Sequence, residues 1–513
     1  MEYDRMGWSA REWCEWYDSA QFDMEYVYEG EDLGANYMPD RTVWKLWTPA
    51  AQKVSLNLYT TGSDQELSAA LLRRVPMIRG ERGVFSISLG GDWKGTYYTY
   101  TVTWEGEERE VTDPYAKAAG VNGQRAMVVN LRETNPAGWD QDGHILPDHG
   151  TDAIIWEVHV RDFSWDTYSG MKNRGLYLAF TETQTHIPGH PKLPTGVEYL
   201  KKLGITHVHL MPCFDYYTVD ETKRTEDLYN WGYDPQNYNV PEGSYATDPY
   251  HGEVRIREMK KMIQALHQAG IGVIMDVVYN HTYQSGDSSF QKVVPYYYYR
   301  TWPDGSWANG SGCGNEIATE RPMVRRFIRQ SIRYWAEEYH IDGFRFDLMG
   351  LIDVETMNQI RKDLDQLPQG KKILMYGEPW AAETPQMRRG ALPADKTHVR
   401  QLDSRIAIFN DETRDCIKGS VFDMHSTGFI SGAWYQENAV RSSLQGWAGP
   451  YATVKLPTQT VSYVSAHDNF TLWDKLVYAK GLAPKGFGAP DPLCMAANKL
   501  AAAIVLTAQD RKS

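Results

Sequence analysis

Residues Glu253–His281 read EVRIREMKKMIQALHQAGIGVIMDVVYNH, and this stretch decides the fold. Glu253–Gln268 is amphipathic at helical period. The continuous apolar run Gly272–Val278 follows at once and delivers Asp276, Asn280 and His281 at its end. An apolar strand directly after an amphipathic helix is the signature of a parallel sheet covered by helices. From Thr151 onward the same alternation recurs. Strands are expected at Ala153–Val160, Thr206–Met211, Gly272–Val278, Gly343–Phe346, Ile373–Tyr376, Ile406–Phe409 and Val461–Val464. Helices such as Gly196–Leu203, Glu253–Gln268 and Pro322–Tyr339 fall between them. Seven such units in one stretch predict an α/β fold of the (β/α)8 TIM-barrel type. A doubly wound open sheet is the alternative, and it is weakened because no G-x-G-x-x-G follows a strand.

Upstream the pattern is different. Thr42–Trp47, Val54–Tyr59, Gly83–Leu89 and Tyr97–Trp104 alternate apolar and polar residues between Gly and Pro clusters. Short strands at this spacing predict an all-β sandwich over residues 1–145, with an N-terminal extension. Pro136–Thr151 is rich in Gly, Pro and Asp and reads as a linker. The barrel is then expected over residues 146–513.

The ends of the predicted barrel strands carry the chemistry. Strand three ends in Asp276, Asn280 and His281, and strand four in Arg345 and Asp347. Strand five ends in Glu378 and Trp380, and strand seven in His467 and Asp468. The C-terminal ends of barrel strands share one mouth, so these groups should meet. Any one of them could cap a helix. A whole cluster of acids serves no packing purpose, because like charges in one pocket repel. Arg345 and Asp347 lie two apart on a strand and share a face, so the cation should hold Asp347 ionised as a nucleophile requires. Glu378, crowded by Pro379 and Trp380, should be pushed toward the pKa of a general acid. This is the two-carboxylate logic of glycoside hydrolysis. The long aromatic segments Pro212–Tyr250 and His281–Arg321 both follow strands and should shape the mouth.

Composition agrees with a neutral sugar substrate. The chain has 513 residues, a net charge of −13, 18 Trp and 33 Tyr. Flat rings offer apolar faces to pyranoses, and the negative balance argues against nucleic-acid or anionic-membrane partners. The start MEYDRMGWSAREWCEWYD has neither a basic region nor an apolar run, and no stretch is long enough for a transmembrane helix. A cytoplasmic protein is expected. Cys14, Cys213, Cys313, Cys416 and Cys494 are scattered, without C-x-x-C spacing, so neither a disulfide framework nor a zinc site is expected. Cys213 lies beside the predicted site, and no chemical role is assigned to it. The sequence does not reveal the oligomeric state.

The segments DVVYNH (276–281), GFRFDLMG (343–350), YGEPW (376–380) and VSAHDN (464–469) resemble, in correct order, the four signature regions of the α-amylase superfamily of retaining glycosidases. The resemblance implies that Asp347 is the nucleophile, Glu378 the acid/base and Asp468 a transition-state stabiliser. It implies that Arg345, His281 and His467 orient Asp347 and bind the same sugar, with Asp276 in support and Trp380 at the substrate. Tyr229–Pro235, YNWGYDP, closely resembles the signature of type I pullulanases, which cleave α-1,6 branch linkages, and would stack Tyr233 on the sugar at the cleavage site. The predicted sandwich is similar to the starch-binding-type module of these enzymes, and the resemblance spans about residues 40–508. It implies a branched α-glucan substrate such as pullulan, starch-derived dextrin or glycogen. No cofactor is required by this reading. Calcium stays open, because Asn280 matches a position that binds it in some superfamily members and the remaining oxygen ligands cannot be assembled. An α-1,4-acting amylase, a branching enzyme and a non-catalytic glucan-binding protein are the alternatives.

The C-terminal end departs from the family. After the apolar helix Met495–Ala508 the chain reads Gln509-Asp-Arg-Lys-Ser513. Neither an eighth strand nor the family's C-terminal β-domain is legible there. The expectation is a truncated or misassembled chain with an incomplete barrel and exposed strand edges.

Overall fold

The computed structural model describes residues 7–223, 228–450, 452–481 and 491–513. Two antiparallel sheets form the expected sandwich. One orders the strands Gly34–Met38, Arg41–Trp47, Val84–Gly90 and Ile78–Arg79. The other orders Leu71–Pro76, Lys53–Tyr59, Tyr97–Trp104 and Glu107–Val111, with Ala126–Met127 paired to Tyr97–Trp104. Their inward residues, among them Trp44, Leu56, Leu58 and Tyr100, are fully buried.

The all-β reading of residues 1–145 needs one correction. Ala10–Tyr17 and Ala20–Tyr26 are helices. The signal was Ser9 and Glu12, a reciprocal capping box at the start of the first helix. Trp13, Tyr17 and Phe22 from these helices pack against Trp104 of the sandwich and Tyr297 of a barrel loop. Hydrogen bonds add to this junction. The Thr48 hydroxyl donates to the Val293 carbonyl at 2.6 Å, and that of Tyr97 to the Tyr250 carbonyl at 2.7 Å.

The barrel sheet is parallel throughout. Its strands are β1 Ile155–Val158, β2 His207–Leu210, β3 Gly272–Val277, β4 Gly343–Phe346, β5 Leu374–Gly377, β6 Ile406–Phe409, β7 Thr460–Ser462 and β8 Arg511–Lys512. All seven strands expected from the sequence are present. Helices cover the outside, including Gly196–Leu203, Gly252–Gln268, Pro322–Glu338 and Val354–Leu364. Ile155, Ile274, Leu374, Tyr376, Phe409 and Val461 fill the interior. The expected irregular segment Pro212–Tyr250 contains a strand pair, Phe214–Tyr216 with Pro235–Pro241, and its residues 224–227 lie outside the described residues.

The missing eighth strand is the second correction. β8 pairs with β7 through Val461–Arg511 and Ser462–Lys512, and Lys512 bridges to Ile154 on the other side. The barrel therefore closes, with Arg511 and Lys512 in its last strand. A charged dipeptide shows no apolar run, which is why periodicity cannot reveal it. Arg511 is nonetheless buried: its guanidinium donates to the carbonyls of Met375 at 2.6 Å and Arg405 at 2.8 Å. The side chain reaches across the barrel's lower end and secures the strand that its own backbone forms.

A charged cluster fastens the linker to that lower end. Asp342, just before β4, accepts from the backbone N–H of Val273 at 2.6 Å and of Ile145 at 2.7 Å. His267 sits between Asp142 and Asp342, with 2.9 Å on each side, and His340 reaches Asp142 at 2.7 Å. His144 faces Asp342 at 3.3 Å. Burial pushes His267 down, but bonds to the two carboxylates outweigh it and lift its pKa to about 9. A raised folded pKa stabilises below the ordinary 6.5 and loses that contribution as pH rises through about 9. His267→Gln should therefore cost roughly 3 kcal/mol at neutral pH. The melting temperatures of variant and wild type should converge above about pH 9, measured by scanning fluorimetry across pH 6 to 10. A gap independent of pH would exclude the charged clasp.

Candidate active site

Arg345 on β4 organises the barrel mouth. Its Nη1 donates to Asp276 Oδ1 and to Asp347 Oδ1, each at 3.0 Å, and its Nη2 pairs with Glu378 Oε1 at 2.7 Å. One guanidinium thus holds carboxylates from the ends of β3, β4 and β5. Asp347 is also fixed from its other oxygen, which accepts from Asn280 Nδ2 at 2.8 Å. The next residue, Leu348, adopts φ 37°, a left-handed conformation that an L side chain resists. That turn aims its N–H at Glu378 Oε2, 2.9 Å away. Gly350 lets the two loops touch, because a Cβ there would lie 2.6 Å from the Trp380 backbone.

The acids sit in different electrostatic settings. Burial raises Glu378, the Arg345 charge opposes this, and the charges of Asp347 and Asp468 add to it, giving about 7. Burial also pushes Asp276 up, but Arg345 and the hydrogen bond from His209 Nε2 at 3.2 Å bring it below its usual range. Asp468 stands at the rim with a side chain 55% exposed, its Oδ1 3.6 Å from His467 Nε2.

The aromatic and histidine residues close the mouth. The half-buried Tyr233 donates its hydroxyl to Asp276 Oδ2 at 2.8 Å and stacks on His467 at 5.0 Å. His281 is buried, with Nδ1 2.5 Å from Asn280 Oδ1 and Nε2 2.7 Å from the Tyr233 carbonyl. Both its nitrogens thus face protein atoms, and it orients Asn280 and Tyr233. A narrow pocket at the mouth is lined by Glu378, Trp380, His467 and Asp468, joined by Phe409, Arg414 and Tyr463. Every site residue named from the sequence lies in or against this mouth.

Glu157 and His209, which no strand-end pattern marks, join the site. Glu157 of β1 accepts from the His467 N–H at 2.6 Å and from its Nδ1 at 2.8 Å. Glu157 is a charged intrusion in the short strand Ile155-Trp-Glu-Val, and His209 is one of two buried histidines in His207-Val-His-Leu; polar residues inside barrel strands are the available signal. Cys213 is fully buried and its thiol is pushed up by burial, which leaves it inert.

Among the described residues, both candidate cation positions already hold protein donors. Asn280 spends its amide on Asp347 and its carbonyl on His281. Asp215, Glu221 and Glu242 form a buried acidic cluster among the described residues. Arg255 enters it, 3.1 Å from Asp215 and 2.8 Å from Glu221. Asn237 and the backbone N–H groups of Asn122, Tyr216, Gly243 and Ser244 also donate to these carboxylates. A cation would have to displace donors already in place.

Two family models match the chain: "Carbohydrate-binding module 48 (Isoamylase N-terminal domain)" over residues 32–116 and "Alpha amylase, catalytic domain" over residues 193–309. Pullulanase of Bacillus subtilis (strain 168) is 40% identical over 96% of this chain, which spans 65% of that relative's length. Pullulanase 1, chloroplastic, of Arabidopsis thaliana is 34% identical over 88% of this chain and 55% of its own. The crystal structure of pullulanase from Paenibacillus barengoltzii in complex with maltohexaose and α-cyclodextrin superposes with a TM-score of 0.88. It is 43% identical, covering 96% of this chain and 74% of that one.

The site's electrostatics carry their own test. The Asp347 charge helps hold Glu378 high, so Asp347→Asn should lower the Glu378 pKa from about 7. Carboxyl-selective ¹³C NMR titration would read the shift, and an unchanged or higher value would contradict the coupling.

Proposed function

The chain belongs to the pullulanase family, and on that premise we propose that it hydrolyses α-1,6-glucosidic linkages in pullulan, starch-derived dextrins and glycogen. The observation that carries the mechanism is the single guanidinium of Arg345 held against both Asp347 and Glu378. Two carboxyls gathered at one cation suit the close spacing of a retaining pair. The maltohexaose complex of the Paenibacillus barengoltzii relative supports an α-glucan as the ligand.

In the proposed reaction Glu378 enters protonated and gives its proton to the glycosidic oxygen as the C–O bond breaks. Asp347 attacks C1 and forms a covalent glycosyl-enzyme. Glu378, now ionised, takes a proton from water, whose oxygen attacks C1 and releases Asp347. Asp468 binds sugar hydroxyls and steadies the oxocarbenium-like transition state. Tyr233 and Trp380 offer aromatic faces to the sugar. The chemistry needs no metal, because carboxylates supply both the proton and the nucleophile. The five free thiols support a reducing compartment and a cytoplasmic location. Among the described residues no helix is long and apolar enough to cross a membrane.

Pullulan digestion should yield maltotriose alone, read by chromatography, and panose or isopanose would replace the α-1,6 assignment with α-1,4 cleavage. Glu378→Gln should lower kcat by roughly 10²- to 10⁴-fold, and near-wild-type turnover would remove Glu378 from its role. Because the acid must carry its proton, kcat/KM should fall as pH rises through about 7. EDTA should leave the rate unchanged; a loss restored by calcium would overturn the metal-free scheme.

A further inference from the structure

His467 and Asp468 follow β7, beside the barrel seam. β8 pairs with β7 through Val461 and Ser462. A further backbone bond, from the Ser513 N–H to the Ser462 carbonyl at 2.9 Å, extends that ladder. A side chain ties the loop after β7 to β1. Glu157, on β1, accepts from the His467 N–H with one oxygen and from its Nδ1 with the other. A carboxylate accepts at both oxygens, so the ring must carry a proton on Nδ1. Tyr233 stacks on the same ring at 28°, and the edge of Trp231 meets it at 5.1 Å. The imidazole is thereby fixed in plane and in rotation, with Nε2 turned toward Asp468.

We propose that Glu157 is a positioning residue for the debranching reaction: it clamps the His467–Asp468 loop to the first strand and holds His467 with Nε2 facing the sugar site. The inference rests on the function proposed above for the same pocket. Charge supports the geometry. Burial pushes His467 down, but the bond and charge of Glu157 lift it above its ordinary value. Arg345 opposes this and Asp468 assists it, while His159 and the Tyr233 hydroxyl also face the ring. Burial raises Glu157 itself, and His467, His209 and Arg345 together bring it below the usual carboxylate range. A protonated His467 presents Nε2–H as a donor to the sugar, and neutralising Glu157 removes the main support of that state.

The test uses Glu157→Gln, which keeps the side-chain shape and one acceptor, beside Glu157→Ala. Imidazole NMR of His467 without substrate reports its titration, and pullulan kinetics report turnover. In Glu157→Gln the His467 titration should move roughly one pH unit or more toward acid. Its kcat should drop about 100-fold with a smaller change in KM, as expected for misplaced groups, while its melting temperature stays near wild type. Glu157→Ala should lose at least as much turnover. A Glu157→Gln protein with wild-type titration, and kcat within about threefold of an active wild type, would overturn the proposal. If the wild type itself leaves pullulan intact, the debranching reading fails by itself. The NMR arm still judges the clamp.

Discussion

Arg345 brings one positive charge into a mouth where three acids converge from β3, β4 and β5. Without it Asp276, Asp347 and Glu378 would repel one another in a desolvated pocket, and their strand ends would be pushed apart. With it, all three stay tethered, while burial and the charges of Asp347 and Asp468 keep Glu378 high. The contact therefore sets the geometry, and burial with the nearby acids sets the protonation of Glu378 against it. A lysine would be a poor substitute, because only a planar fork can engage carboxylates on two sides at once.

That fork can work only if the strand ends are brought into a ring. β8 closes it, with Arg511 anchoring the strand from inside. Higher up the seam, Glu157 adds a carboxylate bridge to the loop after β7. At the opposite end the His267 cluster fastens the linker, and Arg255 rivets the sandwich to a barrel loop through Glu221 and the Gly120 carbonyl. Buried ion pairs often add little net stability compared with apolar packing. Here they stand at the barrel seam or where modules meet, and what they supply is a defined relative placement.

Much of this was legible in the sequence. The seven longer barrel strands declare themselves by continuous apolar runs, and the strand-end acids by their clustering after those runs. β8 was not legible, because a strand of Arg511 and Lys512 has no apolar period and owes its existence to contacts made by Arg511 far along the chain. The two N-terminal helices were masked by the strand-rich composition after them, although Ser9 and Glu12 announce a helix start. Glu157 and His209 were hidden for a related reason. Glu157 is a single charged residue within a strand of four and His209 is one of two histidines in the next, and only folding reveals that the carboxylate meets His467, 310 residues away in sequence.

These differences have one physical origin. Periodicity reports which face of an element meets the core, so it finds elements whose placement is decided by apolar burial. It says nothing about elements placed by charge, since a buried charge is tolerated only when its partner is present and the partner lies elsewhere in the chain. A sequence reader can still use the rule in reverse. A charged residue inside a short apolar barrel strand, such as Glu157 in Ile155–Val158, requires a partner. In a barrel that partner must come from a neighbouring strand end or from the loop across the seam. For Glu157 the candidates with a proton to give are then few, and His467, already singled out by its neighbour Asp468, is the one that the closed ring brings within reach.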